Sequence, residues 1–319
     1  MTNIGVDQVM TVTGPIDPSE LGVTLMHEHL YIDLFKISGR YDAAGMIDDD
    51  DLIAEEVSLF KAEGGRSIVE LTLPGIGRAP ERLKAISERT GVQIVMGSGW
   101  YREPYYPAED RIDRRTVDDI ATELIDEIEN GWRDTGIRPG VIGEIGIDKN
   151  WVSAQEERVL RACGRAQVAT GLYLNTHAVR GGGLAQLAVL LEEGVDLSRV
   201  VIGHADSYPL LDYHLGILDA GATVAFDNIG DPRLHEGRVL RLLLDLLERG
   251  FREQIVLSHD VCYDHSLTAY GGKGYVYLQR EFIPKLIEAG VGEDTVQVMT
   301  VDNPRRLITR RGRSTRIPR

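Results

Sequence analysis

The sequence predicts a (β/α)8 barrel, and three observations lead there. Eight short apolar runs alternate with helical patterns along nearly all of the 319 residues. That rhythm makes a parallel sheet, and eight strands can close it into a barrel. Several helical patterns end in glycine, at Gly91, Gly171, Gly194, Gly221, Gly250 and Gly290, as left-handed C-caps prefer. No glycine-rich phosphate loop follows the first strand, a feature the competing open doubly wound sheet would favour.

Taken in order, Gln8–Pro18 reads as a short hairpin or lid across one end, within an N-terminal segment 1–20. The strand-like runs are Val23–Tyr31, Ser67–Leu73, Gln93–Gly97, Gly140–Ile147, Leu172–His177, Val200–His204, Thr223–Asp227 and Gln254–Ser258. The helical patterns are Asp50–Glu63, Arg115–Gly131, Ala154–Thr170, Leu184–Glu193, Leu210–Ala220, Arg238–Arg249 and Tyr277–Ala289. Asp260–Gly274 is the longest loop behind a strand, and such loops shape pockets in barrels. A C-terminal helical extension leads into a basic tail, Arg305–Arg319, expected to be a frayed, solvated end. One barrel domain over 1–319 is expected.

Composition narrows the function. Hydrophobic residues make up 43%, enough for a sizeable core. The net charge of −15 argues against a nucleic-acid partner, which needs clustered Lys and Arg, and weakly against polyanionic substrates. Two distant cysteines, Cys163 and Cys262, imply no disulfide framework and fit a reducing cytosol. No window approaches the apolar length of a membrane span. A cytoplasmic enzyme acting on a small molecule is the expectation.

The chemistry gathers at the strand ends. His27 and His29 close the first run, and residues i and i+2 of a strand share a face, so both imidazoles can grip one ion. Later runs bring Glu144, His177, His204 and Asp260 to the same rim. Each residue alone has an ordinary explanation: a hydrogen-bonded loop histidine, a buried carboxylate paired with arginine, a turn cap. Six on five strand ends is a different matter, because buried ionisable groups without partners are costly. Six convergent N and O donors suit two borderline divalent ions, Zn first, with Mn or Co as alternatives, rather than Ca or Mg.

The remaining histidines divide differently. His214 and His235 read as surface, His259 as packing behind the site, and His265 as a loop residue within reach of the pocket. Cys163 reads as packing, and Cys262 has no paired base that would make it a nucleophile. Gly181–Gly183 is expected to free backbone space beside the metal. Neither a G-x-S-x-G elbow nor a phosphate-cradling G-x-x-x-x-G-K-[ST] is present.

The set resembles the amidohydrolase superfamily, and its phosphotriesterase-like family in particular. The matching stretches run Thr24–Leu30, Ile202–Asp206, Val224–Gly230 and Gly271–Tyr275, and the likeness covers about Val9 to Leu307. The best-known phosphotriesterases bridge their metals with a carboxylated lysine on strand 4. Here Glu144 occupies that region, and Lys149 lies beyond the strand end, so the chain is similar to the glutamate-bridged subgroup. That subgroup includes phosphorylated-sugar lactonases and N-acyl amino-sulfonate amidases. Where its phosphate-binding members carry cations after the strand-8 Asp, this chain has Val261-Cys262-Tyr263-Asp264-His265, which points to an uncharged or weakly charged substrate.

The resemblance implies that His27, His29 and Asp260 hold the more buried ion, that His177 and His204 hold the more exposed one, and that Glu144 bridges. A hydroxide between ions roughly 3.5–4 Å apart would then attack a carboxyl ester, lactone or amide, with Asp260 moving the proton. Tyr101 is the candidate to hydrogen-bond the substrate oxygen or the hydroxide; an aromatic wall residue is the plain alternative. Tyr263, His265, Lys273, Arg102 and Arg180 are the candidate substrate-binding residues. Phosphotriester or phosphoester hydrolysis at the same centre is the alternative function, and a non-catalytic ligand-binding barrel the third. Related proteins are often dimers, so a homodimer is compatible.

Overall fold

The computed structural model describes residues 7–36 and 45–312. Eight parallel strands form one sheet in sequence order: β1 (Val23–Glu28), β2 (Gly65–Glu70), β3 (Gln93–Ser98), β4 (Val141–Gly146), β5 (Leu174–His177), β6 (Val200–Gly203), β7 (Thr223–Phe226) and β8 (Ile255–Leu257). The sheet curls until its edges meet. The Asp260 N–H donates to His27 O, and the Ser258 hydroxyl accepts from the His27 N–H, so β8 closes on β1. Registers level the strand ends: Gly146 and Gly203 both lie opposite His177.

Helices follow the strands: α1 (Asp50–Ala62), α2 (Pro80–Thr90), α3 (Val117–Asn130), α4 (Ala154–Thr170), α5 (Gly183–Glu192), α6 (Leu211–Asp219), α7 (Glu236–Glu248) and α8 (Ile283–Glu288). Asp49, Thr116 and Ser153 cap α1, α3 and α4 with side-chain oxygens on N-terminal amides. The expected terminal glycines have positive φ, from 70° at Gly91 to 91° at Gly290.

Two apolar layers hold the barrel. One lies between the sheet and its helices. The other fills the interior with one residue from each strand or its lead-in: Met26, Val69, Val95, Val141, Tyr173, Val201, Ala225 and Val256. Burying each Val or Met of this layer contributes about 1.5–3 kcal/mol. Val9, Leu307 and Ile308 join this inner layer from the base. They belong to the N-terminal hairpin, where Val9 pairs with Ile16, and to the last helix, Asn303–Ile308.

Four expectations are corrected. The range of helix α2 was not in the predicted set, although Gly91 was read as ending a helical pattern: among Glu, Arg and Lys it has only Leu83 and Ile86 as large buried residues, too few to set a period. The basic tail is not frayed from Arg305. Arg305 and Arg306 are helical, and the buried Arg310 donates to Thr170 O and Glu129; residues 313–319 lie outside the described residues. His214 is buried rather than surface, because α6 turns it toward Phe226 and its Nδ1 bonds Leu210 O. Gly181–Gly183 makes room for packing neighbours: a Cβ would lie 2.9 Å from the Tyr208 ring at Gly181 and 2.4 Å from Ile147 at Gly182. No described helix is long and apolar enough to cross a membrane.

Arg199 ties the base together. Its guanidinium donates to the carbonyls of Arg306, Leu307 and Thr309, satisfying a helix end that would otherwise be orphaned. Arg199→Ala is expected to cost about 2–3 kcal/mol, since hydrogen bonds from a charged group are lost. A urea midpoint equal to the parent's would show that the clamp contributes nothing.

Candidate metal centre

The C-terminal ends of the strands meet over a cavity of about 260 Å³. Along β1 the ladder with β2 shifts register between Leu25 and Glu28, and the His27 and His29 rings come out 5.6 Å apart. His204 and Asp260 follow β6 and β8 with φ of 55° and 54°, a left-handed turn at the strand end. Glu144 stands on β4, among His27 on β1, His177 on β5, and His29 and His204 just past the ends of β1 and β6.

The donor atoms fall into two groups that share Glu144. His27 Nε2 and His29 Nε2 lie 3.7 and 3.2 Å from Asp260 Oδ1, and 3.2 and 3.5 Å from the Glu144 oxygens. His177 Nδ1 and His204 Nε2 lie 3.0 and 3.5 Å from Glu144 Oε2 and 2.7 Å from each other. Four ligands held about 2.0–2.1 Å from one ion in a tetrahedron stand roughly 3.4 Å apart, so the first group has the spacing of a closed site. His27 Nε2 is buried with no well-directed hydrogen-bond partner, as a nitrogen aimed at an ion would be. The residues therefore fit divalent cations.

The outer nitrogens are held by the protein. Asp227, at the end of β7, accepts from His27 Nδ1 at 2.7 Å, His204 Nδ1 at 3.0 Å and the His204 N–H at 2.9 Å. His29 Nδ1 meets Thr72 Oγ1 at 2.8 Å. Such contacts fix the tautomer and aim the free nitrogen inward. Glu28 accepts from Ser258 Oγ and the His259 and Val261 N–H groups, pinning the loop that carries Asp260. Asp227 and Glu28 were absent from the sequence-based site. Asp227 ends an apolar strand as Glu144 interrupts one, and that signal was available.

The electrostatics are those of a site in which protons and cations compete. Burial disfavours an imidazolium, yet Asp227 and Glu144 push His27 up to about 10. Burial and the neighbouring His204 push His177 down to about 3. Burial would raise Glu144, but His177 and His27 hold it well below the usual range. Both His shifts start from 6.5, so the metal-free protein is expected to be most stable near that pH. The His27 contribution is whole below 6.5 and lost as pH rises toward 10; His177, kept neutral when folded, costs stability as pH falls toward 3. Melting temperatures of chelator-treated protein across pH 5–10 test this, and a curve that rises steadily to pH 10 would contradict it.

The other candidates sort by cavity. Tyr101, Arg102, Arg180 and Tyr263 line the space over the donors, with Arg233, which the sequence reading had not singled out. The Tyr101 hydroxyl is 3.5 Å from His177 Nε2, and burial, with Glu144 nearby, keeps the phenol neutral. His265 and Lys273 line a neighbouring cavity of about 460 Å³ that shares Asp260, Arg233 and Tyr263. Lys149 lies over Trp151, away from the donors. His259 packs behind the site, between Glu28 and the Leu278 N–H.

A barrel whose mouth gathers imidazoles round one shared carboxylate is the build of a metal-dependent hydrolase. The model of the Phosphotriesterase family matches residues 7–308, so the chain belongs to this family. It is 36% identical over 290 residues to the phosphotriesterase homology protein of Escherichia coli, covering 90% of this chain and 97% of that one. It is 30% identical over 346 residues to the N-acetyltaurine hydrolase of Homo sapiens, covering 95% and 98%. The structure of a lactonase from Listeria monocytogenes superposes with a TM-score of 0.88 at 28% identity, over 96% of this chain and 100% of the other.

Proposed function

We propose that the protein hydrolyses a carboxyl ester, lactone or amide at a centre of two divalent ions, Zn first among the candidates. The observation that carries this is the pair of donor groups sharing Glu144 at the floor of one cavity. His27, His29 and Asp260 would hold one ion and His177 and His204 the other. Bound there, the ions would supply Lewis acidity and bring a water's pKa towards about 7. Asp260, at the edge of both groups, is the residue placed to take a proton from the attacking water and pass it to the leaving group. Tyr101, neutral and facing His177, can donate its O–H to the substrate oxygen. The preference for a carbonyl over a phosphotriester rests on Glu144 in place of lysine, and on relatives named for a lactone and an amide.

The test is proton release in weak buffer from protein loaded with Zn or Mn. The panel holds lactones, aryl and alkyl esters, N-acyl amino acids, N-acetyltaurine and a phosphotriester. Turnover of a carbonyl compound with only trace phosphotriester cleavage is the expected result. Dominant phosphotriester turnover would overturn it.

A further inference from the structure

The wall of the metal cavity is rich in hydrogen-bond donors and poor in acceptors. Tyr101, Arg102 and Arg233 bring O–H and N–H groups to it. In the reading above, Glu144 and Asp260 are taken up by the ions and by proton transfer. Asn228, the residue after Asp227, is the one lining residue with a side-chain amide.

Which end of that amide faces the cavity is fixed from behind. Nδ2 lies 2.9 Å from Asp206 Oδ1 and 3.1 Å from Asp227 Oδ1, so its two hydrogens go to two buried carboxylates. The Asn228 main-chain N–H donates to Asp206 Oδ2 at 2.9 Å. Turned over, the amide would aim its oxygen at both carboxylates, acceptor against acceptor. Oδ1 is left facing the other way. It accepts from no described residue and is not enclosed by protein, so the cavity is the space it meets. The amide stands beside the second donor group, with Nδ2 3.3 Å from His204 Nδ1.

Asp206 shows that this orientation is held at a cost. Its carboxylate is buried near that of Asp227, and Asn228 is its hydrogen-bond partner. Burying a second like charge is unfavourable. Satisfying Asp227 would need an amide there but not another carboxylate. Asp206 is accounted for when the amide has to stand one way round.

We infer that Asn228 is a specificity-determining residue, whose Oδ1 accepts a hydrogen bond from an O–H or N–H that the substrate carries beside the scissile carbonyl. This rests on the hydrolase reading above and adds a requirement to it. An α-hydroxy ester or a secondary amide has such a donor; a simple ester or a tertiary amide has none. A fixed, partly desolvated acceptor discriminates against the molecule that leaves it without a partner.

The experiment uses pairs matched except for the donor: methyl mandelate against its O-methyl ether, and acetanilide against N-methylacetanilide. Metal-loaded parent is compared with Asn228→Ala, with metal content measured on both. The parent is expected to favour the donor-bearing member of a pair by about tenfold in kcat/KM, the worth of one well-made hydrogen bond. Asn228→Ala should slow both members and bring their ratio down by the same factor. Loosened packing or lost metal would slow both alike and leave the ratio where it was. Asn228→Ser, which keeps one donor for the carboxylates, serves if the alanine variant does not fold. The pair with the larger ratio tells whether the donor is O–H or N–H. A ratio in the variant equal to the parent's, or a parent indifferent to the donor in both pairs, would overturn the inference. A ketone pair that cannot be hydrolysed, α-hydroxyacetophenone and α-methoxyacetophenone, gives a second readout as shifts in melting temperature. If no ester or amide turns over but the hydroxyketone stabilises the parent more than the methoxyketone, and Asn228→Ala does not distinguish them, the acceptor site stands and the hydrolase reading falls. If neither turnover nor a difference between the ketones is seen in the parent, the acceptor site falls.

Discussion

Asp260→Asn is expected to lower kcat by on the order of 10²- to 10⁴-fold, the usual worth of a positioned acid–base group. The amide keeps the shape of the carboxylate but cannot accept the proton. Asp260 Oδ1 also lies 3.2 Å from His29 Nε2, so metal content must be measured on the same preparation. Lost turnover with two ions retained assigns the proton transfer to Asp260. Lost turnover together with lost metal assigns it a ligand's role instead. Full activity would remove Asp260 from the chemistry altogether. The fold should survive, because the carboxylate is partly open to the cavity and the loop behind it is pinned by Glu28 rather than by Asp260.

Asp227 is expected to matter as much without touching the reacting atoms. It holds the outer nitrogens of His27 and His204, one from each donor group, and it is fully buried. Asp227→Ala leaves two imidazoles, the His204 N–H and the Asn228 amide short of a partner. Removing one member of a buried ionic cluster costs about 3–5 kcal/mol. Asp227→Asn is milder: it fills the space but can no longer accept from both rings as an anion. Metal affinity is expected to fall about 10- to 100-fold, as it does when an outer partner of a ligating histidine is lost. Competition with a coloured chelator would measure it. Equal affinities for Asp227→Asn and the parent would show that packing alone aims the rings.

How much of this could be read beforehand follows from what kind of physics each feature uses. Strand positions were legible because buried parallel strands are apolar runs, and every barrel strand overlaps its predicted run. The helix Pro80–Thr90 was not, since a surface helix needs few apolar residues once two of them reach the core. The gathering of His27, His29, Glu144, His177, His204 and Asp260 at one rim follows from barrel topology, which brings every strand end to the same face. The left-handed backbone of His204, Asp260 and Arg180 left no local signal, because nothing in the neighbouring residues demands it.

The base of the barrel sets how the protein can be handled. Asp7 N–H donates to Arg310 O, and Arg310 N–H donates to Gln8 O, so the two ends of the described chain run side by side. They do so under the inner layer closed by Val9 and Leu307, at the opposite end from the metal cavity. A surface anchor attached through either end would leave the mouth facing solution. A short linker could also join the ends, and the barrel could then be reopened in an exposed loop on its outer wall, giving a circular permutant that carries the same catalytic face.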